Sequence, residues 1–69
     1  MHKYETIMYY SEDDGAFVVD VPELPGCMAD GETPVEAMRN AQNAMSAWIE
    51  TAQELGRAIP EPKGRLYFA

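Results

Sequence analysis

Two hydrophobic rhythms divide the chain. Over residues 4–10 and 16–21 aromatic, β-branched and sulfur-bearing side chains dominate in short runs, whereas over residues 34–55 apolar positions recur every third or fourth residue. The short runs predict strands, and the longer one predicts an amphipathic helix. Between the two strands lies Ser11-Glu12-Asp13-Asp14-Gly15, in which Asp14-Gly15 supplies the positive φ that a hairpin turn requires. Alternation in the second strand puts Phe17, Val19 and Val21 on one face and Ala16, Val18 and Asp20 on the other, the first being the core face. In the first strand Ile7 and Tyr9 compete with Tyr4, Met8 and Tyr10 for the inner position. Both faces of the hairpin are partly apolar, which predicts that one is covered by another subunit.

Pro22 and Pro25 cannot donate to a sheet ladder, so residues 22–26 are expected to form a rigid crossing loop that starts a third strand over residues 27–29. Thr33-Pro34-Val35-Glu36 has the form of a helix start: an N-cap threonine, proline at the first helical position and glutamate three residues after the cap. The helix should run to about Leu55 and stop at Gly56. Met38, Ala41, Met45, Trp48, Ala52 and Leu55 form its apolar stripe, widened by Ala44 and Ile49. Residues 58–64 read as an extended, proline-interrupted connector, and residues 65–68 as a short final strand. Leu66, Tyr67 and Phe68 are thereby candidates for an oligomer contact, adding to a sheet edge of this chain or of a second copy. The expected fold class is α+β: one domain over residues 1–69, with a core from about 3 to 56 and a tail from 57 to 69. A three-stranded antiparallel sheet is packed by one long helix, with a short C-terminal strand.

Size changes this picture by adding a need. A chain of 69 residues buries only about 60% of the surface its unfolded form exposes. No cysteine pair and no zinc-like spacing is present to reinforce so small a core, which leaves association as the support and a homodimer or higher homo-oligomer as the expectation. Cys27 is the single thiol; as a nucleophile it has only His2, near the chain start, for a base, and a buried core role fits it better.

Charge narrows the partners. Twelve Asp and Glu against five Lys and Arg give a formal net charge of −7, and binding nucleic acid directly requires cations. Up to Glu36 the only Lys or Arg is Lys3, so the N-terminal half favours a basic protein surface. No signal peptide and no membrane span is legible, and a cytoplasmic location is expected.

The run Gly15-Ala16-Phe17-Val18-Val19-Asp20-Val21-Pro22-Glu23-Leu24-Pro25-Gly26-Cys27, followed by Gly31-Glu32-Thr33-Pro34-Val35-Glu36-Ala37 and the Pro60-Glu61-Pro62 exit, resembles the HicB antitoxin family. The resemblance spans residues 4–62. It implies a partial ribonuclease H-like fold without catalysis, in the protein antitoxin of a prokaryotic type II toxin-antitoxin pair. The partner it implies is HicA, a small basic messenger-RNA-cleaving toxin masked by direct binding. Longer family members carry a DNA-binding segment after the Pro-x-Pro exit. This chain reads as a short form without it, and autorepression is not expected. On this reading Glu12, Asp13, Asp14, Asp20 and Glu23 are the candidate toxin-binding residues. The alternative is a stand-alone homo-oligomeric binding module of the same family.

The ribonuclease H echo also raises a two-metal nuclease, with Asp13, Asp14, Asp20 and Glu23 as ligands. Asp13 and Asp14 are instead accounted for by turn chemistry, and Asp20 and Glu23 by the flanks of a proline bend. No triad, phosphate loop or zinc spacing is present. The expectation is a protein that binds without catalysis, with no cofactor and no metal.

Overall fold

The computed structural model describes residues 3–61. They form β1 (Ile7–Ser11), β2 (Ala16–Asp20), β3 (Met28–Gly31) and α1 (Pro34–Glu54). The strands make one antiparallel sheet in the order β1-β2-β3, so the α+β class and the sheet-plus-helix architecture are as the sequence predicts. The expected C-terminal strand with Leu66, Tyr67 and Phe68 lies outside the described residues.

Local chemistry sets each connection. In the β1–β2 turn Gly15 takes φ +62°, and its N–H donates to the Ser11 carbonyl at 2.8 Å. Residues 21–27 form two consecutive tight turns, with Leu24 N–H donating to Val21 O (3.1 Å) and Cys27 N–H to Leu24 O (2.9 Å). Each proline occupies the second position of its turn, where its fixed φ is an asset, and Gly26 at φ +80° takes the third position of the second turn, which is a type II signature. Leu24, pinned between the turns, is completely buried. Val21 N–H also bonds Cys27 O at 3.0 Å. This pairing continues the β2–β3 ladder beyond Asp20 to Cys27, next to a β3 that spans Met28–Gly31 where 27–29 was expected.

The register decides which side chains share a face. Val19 stands opposite Met8 and Ala29, and Phe17 opposite Tyr10 and Gly31, and directly opposed residues of antiparallel strands point to the same side. This is the helix-covered side: Val19, Val21, Leu24 and Cys27 cluster there with Ala37, Ala41 and Met45 of α1. Tyr4 belongs to the same cluster, which settles the competition in the first strand in favour of Tyr4, Met8 and Tyr10. The open side carries Ile7, Tyr9, Ala16, Val18, Asp20, Met28 and Asp30.

α1 starts where the threonine predicts. Thr33 Oγ1 accepts from Glu36 N–H at 3.1 Å, satisfying a donor that the first turn leaves free. It ends in a Schellman arrangement around Gly56 at φ +69°, with Gly56 N–H on Gln53 O (3.2 Å) and Arg57 N–H on Ala52 O (2.8 Å). The apolar stripe holds for Met38, Ala41, Met45, Trp48 and Ala52, but Leu55 is exposed and Ala37 is completely buried. Leu55 is the C-cap residue, past the end of the packed face. Ala37 is buried by a close approach: a Cβ added at Gly31 would stand 2.5 Å from Ala37 N. Two further ties hold α1 to the loops, from Trp48 Nε1 to Pro25 O (3.0 Å) and from Asn40 Nδ2 to Asp30 O (2.8 Å).

Candidate partner-binding surface

The five acidic candidates do not form one patch. Glu12, Asp13 and Asp14 are fully at the surface in the hairpin turn, and Asp20 and Glu23 are half-buried near the far end of β2. Four strand steps from Ala16 to Asp20 separate the two groups by about 13 Å. At the tip, Asp14 is engaged locally: Ser11 Oγ donates to its Oδ2 at 3.0 Å, and its own N–H donates to Ser11 Oγ at 3.3 Å. Glu12 and Asp13 remain as the outward charges of the turn.

At the other end, Asp20 lies close enough to Cys27 to act on it. Burial pushes the Cys27 thiol above its ordinary value, and the Asp20 charge adds to the effect. The Tyr4 hydroxyl is raised likewise, first by burial and then by the charges of Glu23 and Glu61. That hydroxyl donates to the Pro60 carbonyl, drawing the exit connector back against the start of the chain. A protonated, buried Cys27 is a packing residue.

The partly apolar character of both hairpin faces, read from the sequence, is found as apolar surface that stays open among the described residues. α1 packs against β3 and β2, because a helix about 10–12 Å across covers roughly two strands spaced about 4.8 Å apart. β1 is left at the margin, with Ile7 45%, Met8 37%, Tyr9 48% and Tyr10 54% exposed. Tyr10 meets half-buried Phe17 in an edge-on arrangement, with centroids 5.1 Å apart and planes at 70°. On the open face Val18 is buried, between Tyr9 and Asp30 in the register, while Met28 is exposed. The signal for this in the sequence was the doubly apolar character of the first strand. A separate groove of about 320 Å³ is lined by Cys27 and Met28 from the sheet side, by Ala44, Trp48 and Thr51 of α1, and by Arg57.

Among the described residues, no group of three or more His, Cys, Asp or Glu is placed to hold a metal ion. No helix among them is long and apolar enough to cross a membrane. The arrangement offers surfaces: an acidic tip, an uncharged sheet margin and an open face where Ile7, Tyr9 and Met28 stand among Asp20 and Asp30.

Comparison with known proteins gives these surfaces a context. A UPF0150 protein of Thermoplasma acidophilum is 40% identical over 55 residues, covering 80% of each chain. Another UPF0150 protein, from Synechocystis, is 37% identical over 54 residues, covering 78% of this chain and 74% of the relative. An uncharacterized 14.9 kDa protein of the rep-hol intergenic region of Haemophilus phage HP1 is 45% identical over 49 residues, which are 71% of this chain and 36% of the phage protein. No solved structure gives a significant match. The model of the HicB_like antitoxin of bacterial toxin-antitoxin systems matches residues 4–65, nearly the whole chain, and the protein belongs to that family.

Proposed function

We propose that this chain is the antitoxin of a type II pair and neutralises a small basic HicA-type mRNA-cleaving toxin by direct binding in the cytoplasm. The observation that carries the reading is the family match across residues 4–65. The charge pattern supports it, since a chain of net charge −7 with Glu12 and Asp13 exposed at a turn favours a basic protein over nucleic acid. Inhibition on this reading is stoichiometric: the acidic tip and the Asp20–Glu23 end orient the toxin, and apolar surface supplies the tight contact. A partial ribonuclease H-like ancestry belongs to the same reading, and the sheet under a single helix is compatible with it. The chain acts by binding, without catalysis or a cofactor.

Co-expression with the neighbouring small open reading frame tests the proposal. Relief of that neighbour's growth arrest, together with a complex recovered by tagged pull-down, is the expected result. A toxic neighbour that this chain neither binds nor relieves would sink it. The second reading, a stand-alone homo-oligomeric module, is favoured by one observation, the exposed uncharged margin of the sheet along β1.

A further inference from the structure

The open face of the sheet holds a hollow that brings in a carboxylate outside the acidic candidates, that of Asp30. The hollow measures about 300 Å³ and is lined by Asp14, Val18, Met28, Ala29 and Asp30. It lies along β3, the strand farthest from β1, with the hairpin turn at one end. Its floor is apolar, made by buried Val18 and exposed Met28. Its rim is acidic: Asp30 stands opposite Val18 in the register, and Asp20 opposite Met28, so a third carboxylate flanks the hollow on the same face. The three strands contain no Lys or Arg. Both rim carboxylates are positioned yet still able to accept. Ser11 Oγ occupies only Oδ2 of Asp14, and Asn40 holds the Asp30 backbone through its carbonyl. Neither carboxylate has an ion pair among the described residues.

We propose that this hollow receives one lysine or arginine side chain of the basic partner, its hydrocarbon stem over Val18 and Met28 and its charged head between Asp14 and Asp30. The proposal rests on the toxin-binding reading and names the place where the tight contact forms. Size and charge select the occupant. A helix about 10–12 Å across is too wide for a hollow of this volume, and no group of three or more metal-ligating side chains is found among the described residues. An acidic side chain would be repelled by the rim. A long cationic one matches both surfaces, because its stem covers apolar area while its head reaches the carboxylates. The apolar floor keeps water from one side of the pair, which makes the attraction stronger than at the fully solvated tip. The two acidic regions thereby act in sequence: Glu12 and Asp13 steer the encounter, and the hollow retains what has arrived.

Surface plasmon resonance between the full chain and the product of the neighbouring small open reading frame tests the hollow. Asp30→Asn keeps the shape of an exposed side chain and removes its charge. It should raise the dissociation constant about thirtyfold, through faster dissociation, with an unchanged circular dichroism spectrum. Met28→Ser removes the contact to the stem and should raise it about fivefold. Glu12→Gln/Asp13→Asn removes charge outside the hollow and should slow association while leaving the dissociation rate unchanged. Among the Lys and Arg residues of the partner, one should show a coupling of about tenfold with Asp30→Asn in a double-mutant cycle. An Asp30→Asn chain that dissociates as slowly as the unmodified one would overturn the hollow and leave the toxin reading standing, as would coupling spread evenly over the partner's cations. No complex with the unmodified chain would remove the toxin reading, and the hollow with it. A melting temperature lowered by Lys63→Ala/Arg65→Ala only where Asp30 is intact would assign the hollow to the chain's own tail. Self-association abolished by Asp30→Asn would assign it to a second copy. Either result overturns the proposal.

Discussion

At the scale of single residues, Gly31 carries a constraint that no hydrophobic pattern expresses. Its missing Cβ lets β3 lie against the first turn of α1, where an added methyl would meet backbone at 2.5 Å (Ala37 N) and 2.9 Å (Ala37 Cα). Backbone cannot rotate aside, so Gly31→Ala should destabilise the fold by about 2–3 kcal/mol. Gly15→Ala meets no atom within 4 Å and should cost only about 1 kcal/mol, through its positive φ. Urea titration of the two variants checks the order; equal losses would remove the packing argument. Cys27 provides a test in pH. Its folded thiol titrates above the ordinary value of 9.0, so the native state holds the proton longer than the unfolded one. The associated stability is fully present below the unfolded value and lost as pH rises from there through the folded value. Cys27→Ala should flatten the fall in melting temperature just above pH 9, leaving the later fall due to Tyr4, which is raised from 10.0.

At the scale of elements, the parts fixed by short-range chemistry were legible. The Asp14-Gly15 turn, the paired prolines, the Thr33 cap and the Gly56 stop each need one residue type at one place, and each is found there. What the sequence hid depends on where the elements meet. Ala37 contributes little to a hydrophobic stripe yet is completely buried, because Gly31 admits it. Leu55 fits the stripe and is exposed, because the packed face ends before the cap. Leu24, an apolar residue between two prolines, read as loop and is core. The acidic candidates all fall between residues 12 and 23, but β2 separates the tip from Asp20 and Glu23 in space. Two substitutions separate cap from anchor. Thr33→Ala should cost about 1 kcal/mol by leaving a first-turn N–H unpaired. Trp48→Phe removes the indole donor to Pro25 and should cost about 1 kcal/mol, with faster amide exchange confined to residues 22–27. Uniformly faster exchange across the sheet would show that Trp48 acts on the core as a whole.

At the scale of the whole molecule, a helix over two of the three strands among the described residues is a thin core for an autonomous domain. Its stability should therefore rise with protein concentration, because any partner that binds only the folded state adds to it by mass action. The acidic tip belongs to this scale as well, since steering acts over distances beyond contact. Combined Asp13→Lys and Glu12→Lys should slow association with a basic toxin by about tenfold at low salt, and the difference from the unmodified chain should close as salt is raised. Stopped-flow association rates at two salt concentrations measure this; equal rates at low salt would take the tip out of recognition.

The hydrogen bond from Tyr4 to Pro60 joins positions 56 residues apart in sequence. Topologically, residues 4–60 make almost a ring with a small opening. A short linker from position 60 to position 4, with a new break at the exposed turn between Asp13 and Asp14, should give a circularly permuted form of residues 4–60 that keeps the same sheet and helix. The closure lies at the foot of β1, the five residues Ile7–Ser11 away from the hairpin tip, so a linker placed there would leave the tip's charges as they are.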